Sequence, residues 1–177
     1  MVRGSAELAA RPDCGTDPAR NEPDPCFKSV VAADDALSQG TNLTVSELRV
    51  RFFETDLMGI VHHATHLTYF EAGRVEWLRR RGVTYAEWAA RGMHLPVVEV
   101  GLRYRSPARF DDVLTVETRL TELRTVSLRF DYRLLRGSDL LAEGFTKLAS
   151  IDESHTLRRF PEDVLAILRS GELAAGP

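Results

Sequence analysis

Between residues 126 and 134 the chain alternates without a break. Val126, Leu128, Phe130, Tyr132 and Leu134 interleave with Ser127, Arg129, Asp131 and Arg133. A period of two is the mark of a strand with one buried face. A looser version runs from 113 to 123, where Leu114, Val116 and Leu120 share a side. Further strands are predicted over 45–53 and over 95–104, the latter around Val97, Val98 and Val100. A hairpin turn at Arg136-Gly137-Ser138-Asp139 leads into a last strand over 140–151. One long stretch has the other period. Leu67, Phe70, Trp77 and Leu78 recur at three- and four-residue spacing and predict one buried stripe on a helix over 64–81. Arg79, Arg80 and Arg81 suit its C-terminal dipole, and Gly82 suits its C-cap. Short helices are predicted over 85–91 and 161–168. The order β–α–β–β–β–β implies an α+β fold, an antiparallel sheet wrapped around one central helix. Dimerisation through edge strands would manage the exposed edges of such a sheet.

Residues 1–43 are different. They carry Pro12, Pro18, Pro23 and Pro25, a single aromatic, Phe27, and four basic against seven acidic residues. Such a segment buries too little apolar surface to offset its ordering entropy, so a disordered tail is expected before a domain at 44–170. The tail holds the whole net charge of −3, which gives no electrostatic case for nucleic acid. No apolar run reaches transmembrane length and the N-terminus lacks a secretory h-region, so a cytoplasmic location without a membrane span is expected. Both cysteines, Cys14 and Cys26, fall in the tail, leaving the domain without a thiolate nucleophile or thiolate metal site.

The candidate chemistry sits at Glu54-Thr55-Asp56-Leu57-Met58-Gly59-Ile60-Val61-His62-His63-Ala64-Thr65. A strand, a carboxylate in a polar turn, a glycine and a helix start follow one another. A helix N-terminus offers unpaired N–H groups that hold an oxyanion, and a nearby carboxylate attacks a carbonyl or activates water. On spacing alone, Asp56 equally fits a turn or a helix cap, and His63 a helix-start residue. His62 and His66 are four apart, but zinc needs a third ligand and no H-E-x-x-H pattern is present, so no metal is expected.

The string Glu54-Thr55-Asp56-x-Met58-Gly59-x-Val61-x-His63-Ala64, followed by Tyr69-Phe70-Glu71-x-x-Arg74-x-Glu76-Trp77-Leu78-Arg79, resembles the hotdog-fold acyl-CoA thioesterases of the 4-hydroxybenzoyl-CoA thioesterase type. It is most similar to the subgroup associated with the Tol–Pal gene cluster. The likeness continues through Tyr104-x-Ser106-Pro107-Ala108-Arg109-x-Asp111-Asp112 and Thr125-x-Ser127-Leu128-x-Phe130. It implies hydrolysis of an acyl-CoA thioester to free acid and CoA, with no metal or other cofactor. The family's carboxylate, nucleophile or general base, falls on Asp56, and its carbonyl-polarising amide falls on His63. Gly59, His66, Glu71, Thr125 and Ser127 fall at the substrate. The resemblance also implies a homodimer or tetramer with active sites at subunit interfaces. Phe52 and His66 replace tyrosines common in the subgroup, and Thr65 replaces asparagine or serine, so the acyl group stays open; Phe52, His66 and Trp77 would permit an aromatic one. Asp56 argues against the enediyne-polyketide branch, which carries asparagine there. Two alternatives remain on the same fold: a non-catalytic acyl-CoA or acyl-carrier-protein binding module, and a carrier-protein thioesterase of a biosynthetic pathway.

Overall fold

The computed structural model describes residues 42–170. The expected tail, with both cysteines, lies outside the described residues except for Asn42 and Leu43. Strands β1 (Leu43–Arg49), β2 (Val97–Tyr104), β3 (Val113–Leu123), β4 (Ser127–Arg136) and β5 (Asp139–Ala149) form one sheet in the order β1-β3-β4-β5-β2. Every neighbouring pair is antiparallel. Helix α1 (Thr65–Arg79) carries the chain from the β1 edge towards the β2 edge, with α2 (Tyr85–Ala90) on the way and α3 (Glu162–Ser170) at the end. This is the α+β hotdog arrangement.

The sheet wraps α1 through aromatic contacts. Phe70 stacks on Tyr132 with ring centres 4.5 Å apart, and Trp77 meets Phe130 edge-on at 5.1 Å. Gly73 marks the close approach, since a Cβ there would lie 2.5 Å from Thr118 Oγ1 and 2.8 Å from Val116 Cγ1. Leu114, Val116, Leu120, Leu128, Phe130, Tyr132 and Leu134 face inward and are buried, as their alternation predicts.

Four expectations need correction. Leu67 is exposed, and the buried face of α1 runs instead through His66, Tyr69, Phe70, Gly73 and Trp77. Three of those residues count as polar or neutral on a hydrophobicity scale, which rotated the apparent stripe. Strand β1 ends at Arg49 rather than 53. The Val50 N–H donates to the Asp112 carbonyl at 2.9 Å, and the chain then tightens into a 3₁₀ turn at Phe52–Glu54. Arg81 is buried rather than serving the dipole from solvent. Its guanidinium lies 3.6 Å over the Trp77 ring and donates to Thr44 Oγ1 and the Trp77 carbonyl, and burial pushes its pKa down to about 10. Arg129, on the polar face of β4, is also buried: it lies 3.6 Å over the Phe145 ring and pairs with Asp131 at 2.9 Å.

The edges differ in character. On β2, Val97, Val98 and Val100 are 47%, 58% and 46% exposed, an apolar edge that pairs with no further strand among the described residues.

Candidate active site

The segment after the 3₁₀ turn folds back on itself as a miniature hairpin. Thr55 and Val61 form an antiparallel bridge, and the Asp56 N–H donates to the Ile60 carbonyl at 2.9 Å. The reversal needs a left-handed residue, which Gly59 supplies at φ 71°. Inside it, the Met58 N–H donates to Asp56 Oδ1 at 2.8 Å. One carboxylate oxygen of Asp56 is thereby fixed, while Oδ2 accepts no hydrogen bond among the described residues. The second arm is bonded on two sides: Val61 N–H donates to the Ala108 carbonyl and His62 N–H to the Glu54 carbonyl, each at 2.9 Å. Loop 105–112 is therefore the shelf on which the Asp56 hairpin rests.

Helix α1 opens immediately beyond. Its N-cap position is Ala64, in helical geometry, with no side-chain cap and no acid in the first turn. Two of the available donors are taken locally by His62: its carbonyl accepts from Thr65 N–H at 2.9 Å, and its Nδ1 accepts from Ala64 N–H at 3.3 Å. The His63 N–H has no acceptor among the described residues, while its carbonyl accepts from Tyr104 Oη at 3.0 Å. Strand β2 thus orients the peptide next to the free amide. The His63 ring is exposed and lies 4.0 Å from the His62 ring.

His66 is buried behind this opening, edge-on to Tyr104 at 5.0 Å, and its Nδ1 lacks a hydrogen-bond partner among the described residues. Burial lowers its pKa, against the opposing pull of the His62 and His63 carbonyls, so the neutral ring is favoured. On the solvent side of Asp56, Leu57 and Met58 are fully or largely exposed. Phe52 packs edge-on to Phe110 at 5.7 Å, both of them exposed.

The residues expected at the site separate into groups. Asp56, Gly59, His63 and His66 converge on the hairpin and the start of α1. Glu71 does not: its side chain is 65% exposed and sits 4.0 Å from Arg74. It lines a groove of about 810 Å³ between β1 and α1, with Leu48, Thr68 and Val75, which Asp56 does not reach. Thr125 and Ser127 lie at the opposite end of the sheet. Ser127 pairs with Ala149, whereas the hairpin is bonded through Ala108 to loop 105–112, which leads into the start of β3, at the Arg136 end of β4. Trp77 is fully buried against Phe130 and shares no pocket with Phe52 or His66. Arg105, in the loop that carries the hairpin, pairs with Glu143, and Arg158 donates to the Gly92 carbonyl. Among the described residues no cluster of three or more His, Cys, Asp or Glu side chains is arranged to hold a metal ion. His62 is exposed and His66 buried, so their four-residue spacing brings them to no common ligand position.

Sequence reading missed Tyr104 and His62 as parts of this opening. Nothing local announces Tyr104, because its reach to His63 spans 41 residues. Glu54 was visible only as a neighbour of Asp56, although its spacing from Arg51 is that of a capping box.

Residues 50–168 match the family described as the thioesterase-like superfamily. The acyl-CoA thioester hydrolase YbgC of Escherichia coli O157:H7 is 30% identical over 121 residues, spanning 67% of this chain and 90% of that protein. The crystal structure of a hypothetical protein, TT1821, from Thermus thermophilus superposes with a TM-score of 0.68 at 46% identity, covering 71% of this chain and 96% of that one. The fold alone is shared with Slr0204, a 1,4-dihydroxy-2-naphthoyl-CoA thioesterase from Synechocystis, at a TM-score of 0.67 and 21% identity over 71% of this chain and 95% of that one. The chain belongs to the thioesterase-like superfamily and is a hotdog-fold thioesterase.

Proposed function

We propose that the protein hydrolyses acyl-CoA thioesters to free acid and CoA, with Asp56 as the catalytic carboxylate and the His63 backbone N–H as the group that polarises the carbonyl. The observation that carries this reading is the pairing of two unspent groups. A carboxylate held by one oxygen faces solvent from the hairpin, and a free N–H opens the helix that the same hairpin feeds. In the reaction the thioester carbonyl oxygen accepts from His63 N–H as negative charge develops on it. Asp56 Oδ2 either attacks the carbonyl carbon, giving a mixed anhydride and the CoA thiolate, or takes a proton from a water that attacks instead. In the first route water then cleaves the anhydride and restores Asp56. The exposed His63 ring is the group proposed to meet the departing thiolate. The Tol–Pal-associated subgroup is the branch to which the motif points, and the cytoplasm is the compartment that suits an acyl-CoA substrate.

The far placement of Thr125 and Ser127 has a physical resolution in a homodimer paired through β2. The exposed Val97, Val98 and Val100 give that edge its apolar surface. A two-fold antiparallel pairing would lay the Val97 end of one protomer beside the Tyr104 end of its partner. Ser127, Ala149 and Pro96 are aligned across the sheet at the Val97 end, with Ala149 N–H donating to the Pro96 carbonyl at 3.1 Å. The partner's Thr125 and Ser127 would then approach the hairpin that one chain alone keeps them from. Glu71, on the outer side of α1, is left to contacts with the nucleotide end of the substrate or between dimers of a tetramer.

Thiol release from a panel of aromatic, short and long acyl-CoAs, with a chelator present, tests the reading. Release from at least one is expected. Tight binding without release would favour the non-catalytic binding module, and release only from carrier-bound acyl groups would favour the carrier-protein thioesterase.

A further inference from the structure

We infer that Glu54 and Tyr69 are positioning residues for the reaction: together they lock the Asp56 hairpin to the body of α1 and so fix the distance between the Asp56 carboxylate and the His63 N–H. The inference rests on the catalytic roles proposed for those two groups.

Glu54 is a buried carboxylate, only 4% exposed, two residues before Asp56. A carboxylate in such a place must be satisfied by donors, and this one has four contacts. Its Oε2 accepts from the Arg51 N–H at 2.7 Å and from Tyr69 Oη at 2.8 Å. Its Oε1 accepts from Arg51 Nε at 3.0 Å and Arg51 Nη2 at 2.7 Å. The Arg51 contacts are local and close the 3₁₀ turn. The Tyr69 contact is different, because it crosses 15 residues and reaches the buried face of α1 one turn beyond His66. The Glu54 backbone is engaged as well, since its carbonyl accepts from His62 N–H. One residue therefore holds both arms of the hairpin and the helix. The other bonds of the hairpin, the Thr55–Val61 bridge, the Asp56 N–H bond to the Ile60 carbonyl and the shelf contact at Ala108, do not reach α1.

The charge states favour the clamp. Burial works to raise the Glu54 carboxyl, but hydrogen bonds from Arg51 and Tyr69 outweigh it and hold the group below its ordinary value, so it stays an acceptor. Burial and the Glu54 charge push the Tyr69 phenol above its ordinary value, so it stays a donor. Neither group reaches solvent at the Asp56 side. They act on geometry, and a geometric role makes a specific demand on the kinetics. Displacing two reacting groups from each other costs transition-state stabilisation while leaving ground-state binding of the CoA moiety intact, so kcat should fall with little change in KM.

The test compares wild type, Tyr69→Phe, Glu54→Gln and the double variant as full-length chains. Two readouts are taken: amide hydrogen exchange of residues 55–62, and kcat and KM for thiol release from the best acyl-CoA of the panel, well below each Tm. Tyr69→Phe deletes a single hydroxyl and keeps the test open should Glu54→Gln fail to fold. The expected result is faster exchange in the hairpin, kcat lower by about ten-fold or more with KM within about two-fold, and a double variant no worse than the weaker single one. Unchanged exchange in Tyr69→Phe overturns the clamp. Faster exchange with wild-type kcat overturns its role in the reaction and reduces the pair to a stabilising contact. A wild type that releases no thiol from any substrate overturns the thioesterase reading instead, and hydrogen exchange then decides the clamp by itself.

Discussion

Helix α2 begins on a side-chain cap. The Thr84 hydroxyl accepts from Glu87 N–H at 3.3 Å, and the Glu87 carboxylate returns to Thr84 N–H at 3.0 Å, a complete capping box. Those bonds hold the Glu87 carboxyl below its ordinary value. Helix α1, more than twice as long, begins on Ala64 with neither a side-chain cap nor an acid in its first turn. A cap contributes about 1 kcal/mol, so the longer helix forgoes a stabilisation that the shorter one takes. What α1 retains in exchange is an N–H at His63 without an acceptor among the described residues and a first turn without an acidic residue. The stability comes from elsewhere on the helix: Phe70 stacked on Tyr132, Trp77 on Phe130, and the close approach at Gly73. The contrast teaches that the packed face and the open end of α1 serve different purposes, the one fold and the other chemistry.

The comparison breaks most sharply if α1 is given what α2 has. Ala64→Asp places a carboxylate beside the free amide and competes with a developing oxyanion. It should lower kcat roughly ten-fold while leaving Tm unchanged or raised. Steady-state thiol release alongside thermal melting checks both. A milder disturbance is Tyr104→Phe, which removes the hydroxyl from the His63 carbonyl. A lost hydrogen bond of about 1 kcal/mol corresponds to roughly a five-fold fall in kcat/KM. The converse change at the capped helix, Thr84→Ala, should cost about 1 kcal/mol and lower Tm by a few degrees with kcat unaltered. The smallest effect is in pH. The folded His66 pKa lies below the 6.5 of the free side chain, so its neutral burial contributes stability that is full above pH 6.5 and declines as pH falls from there towards the folded value. Melting at pH 7.5 and 5.5 should show a smaller drop for His66→Phe than for wild type.

Much of this was legible in advance for reasons that are physical. Strands β3 and β4 announce themselves because period-two burial against one helix leaves no freedom of register. That Asp56 and Gly59 lie in a turn and His63 beside a helix start was legible because turns and helix starts are local events. The parts that were not legible are non-local. Leu67 was read as buried because Tyr69 and His66, which take that face, carry polar atoms whose satisfaction depends on Glu54 and on surroundings distant in sequence. Arg81 and Arg129 look like solvent charges until Trp77 and Phe145 are seen beneath them. Thr125 and Ser127 fall at the far end of the sheet, a placement that depends on strand order rather than on any spacing along the chain.

The measurement that bears most directly on the central claim is single-turnover thiol release by wild type and Asp56→Asn with saturating enzyme and chelator present. Asparagine keeps the shape and its Oδ1 still accepts from Met58 N–H, so the hairpin survives while the charge is lost. The account predicts a chemical step slower by at least about 10²-fold with substrate binding preserved. An Asp56→Asn variant that releases thiol at the wild-type rate would contradict it.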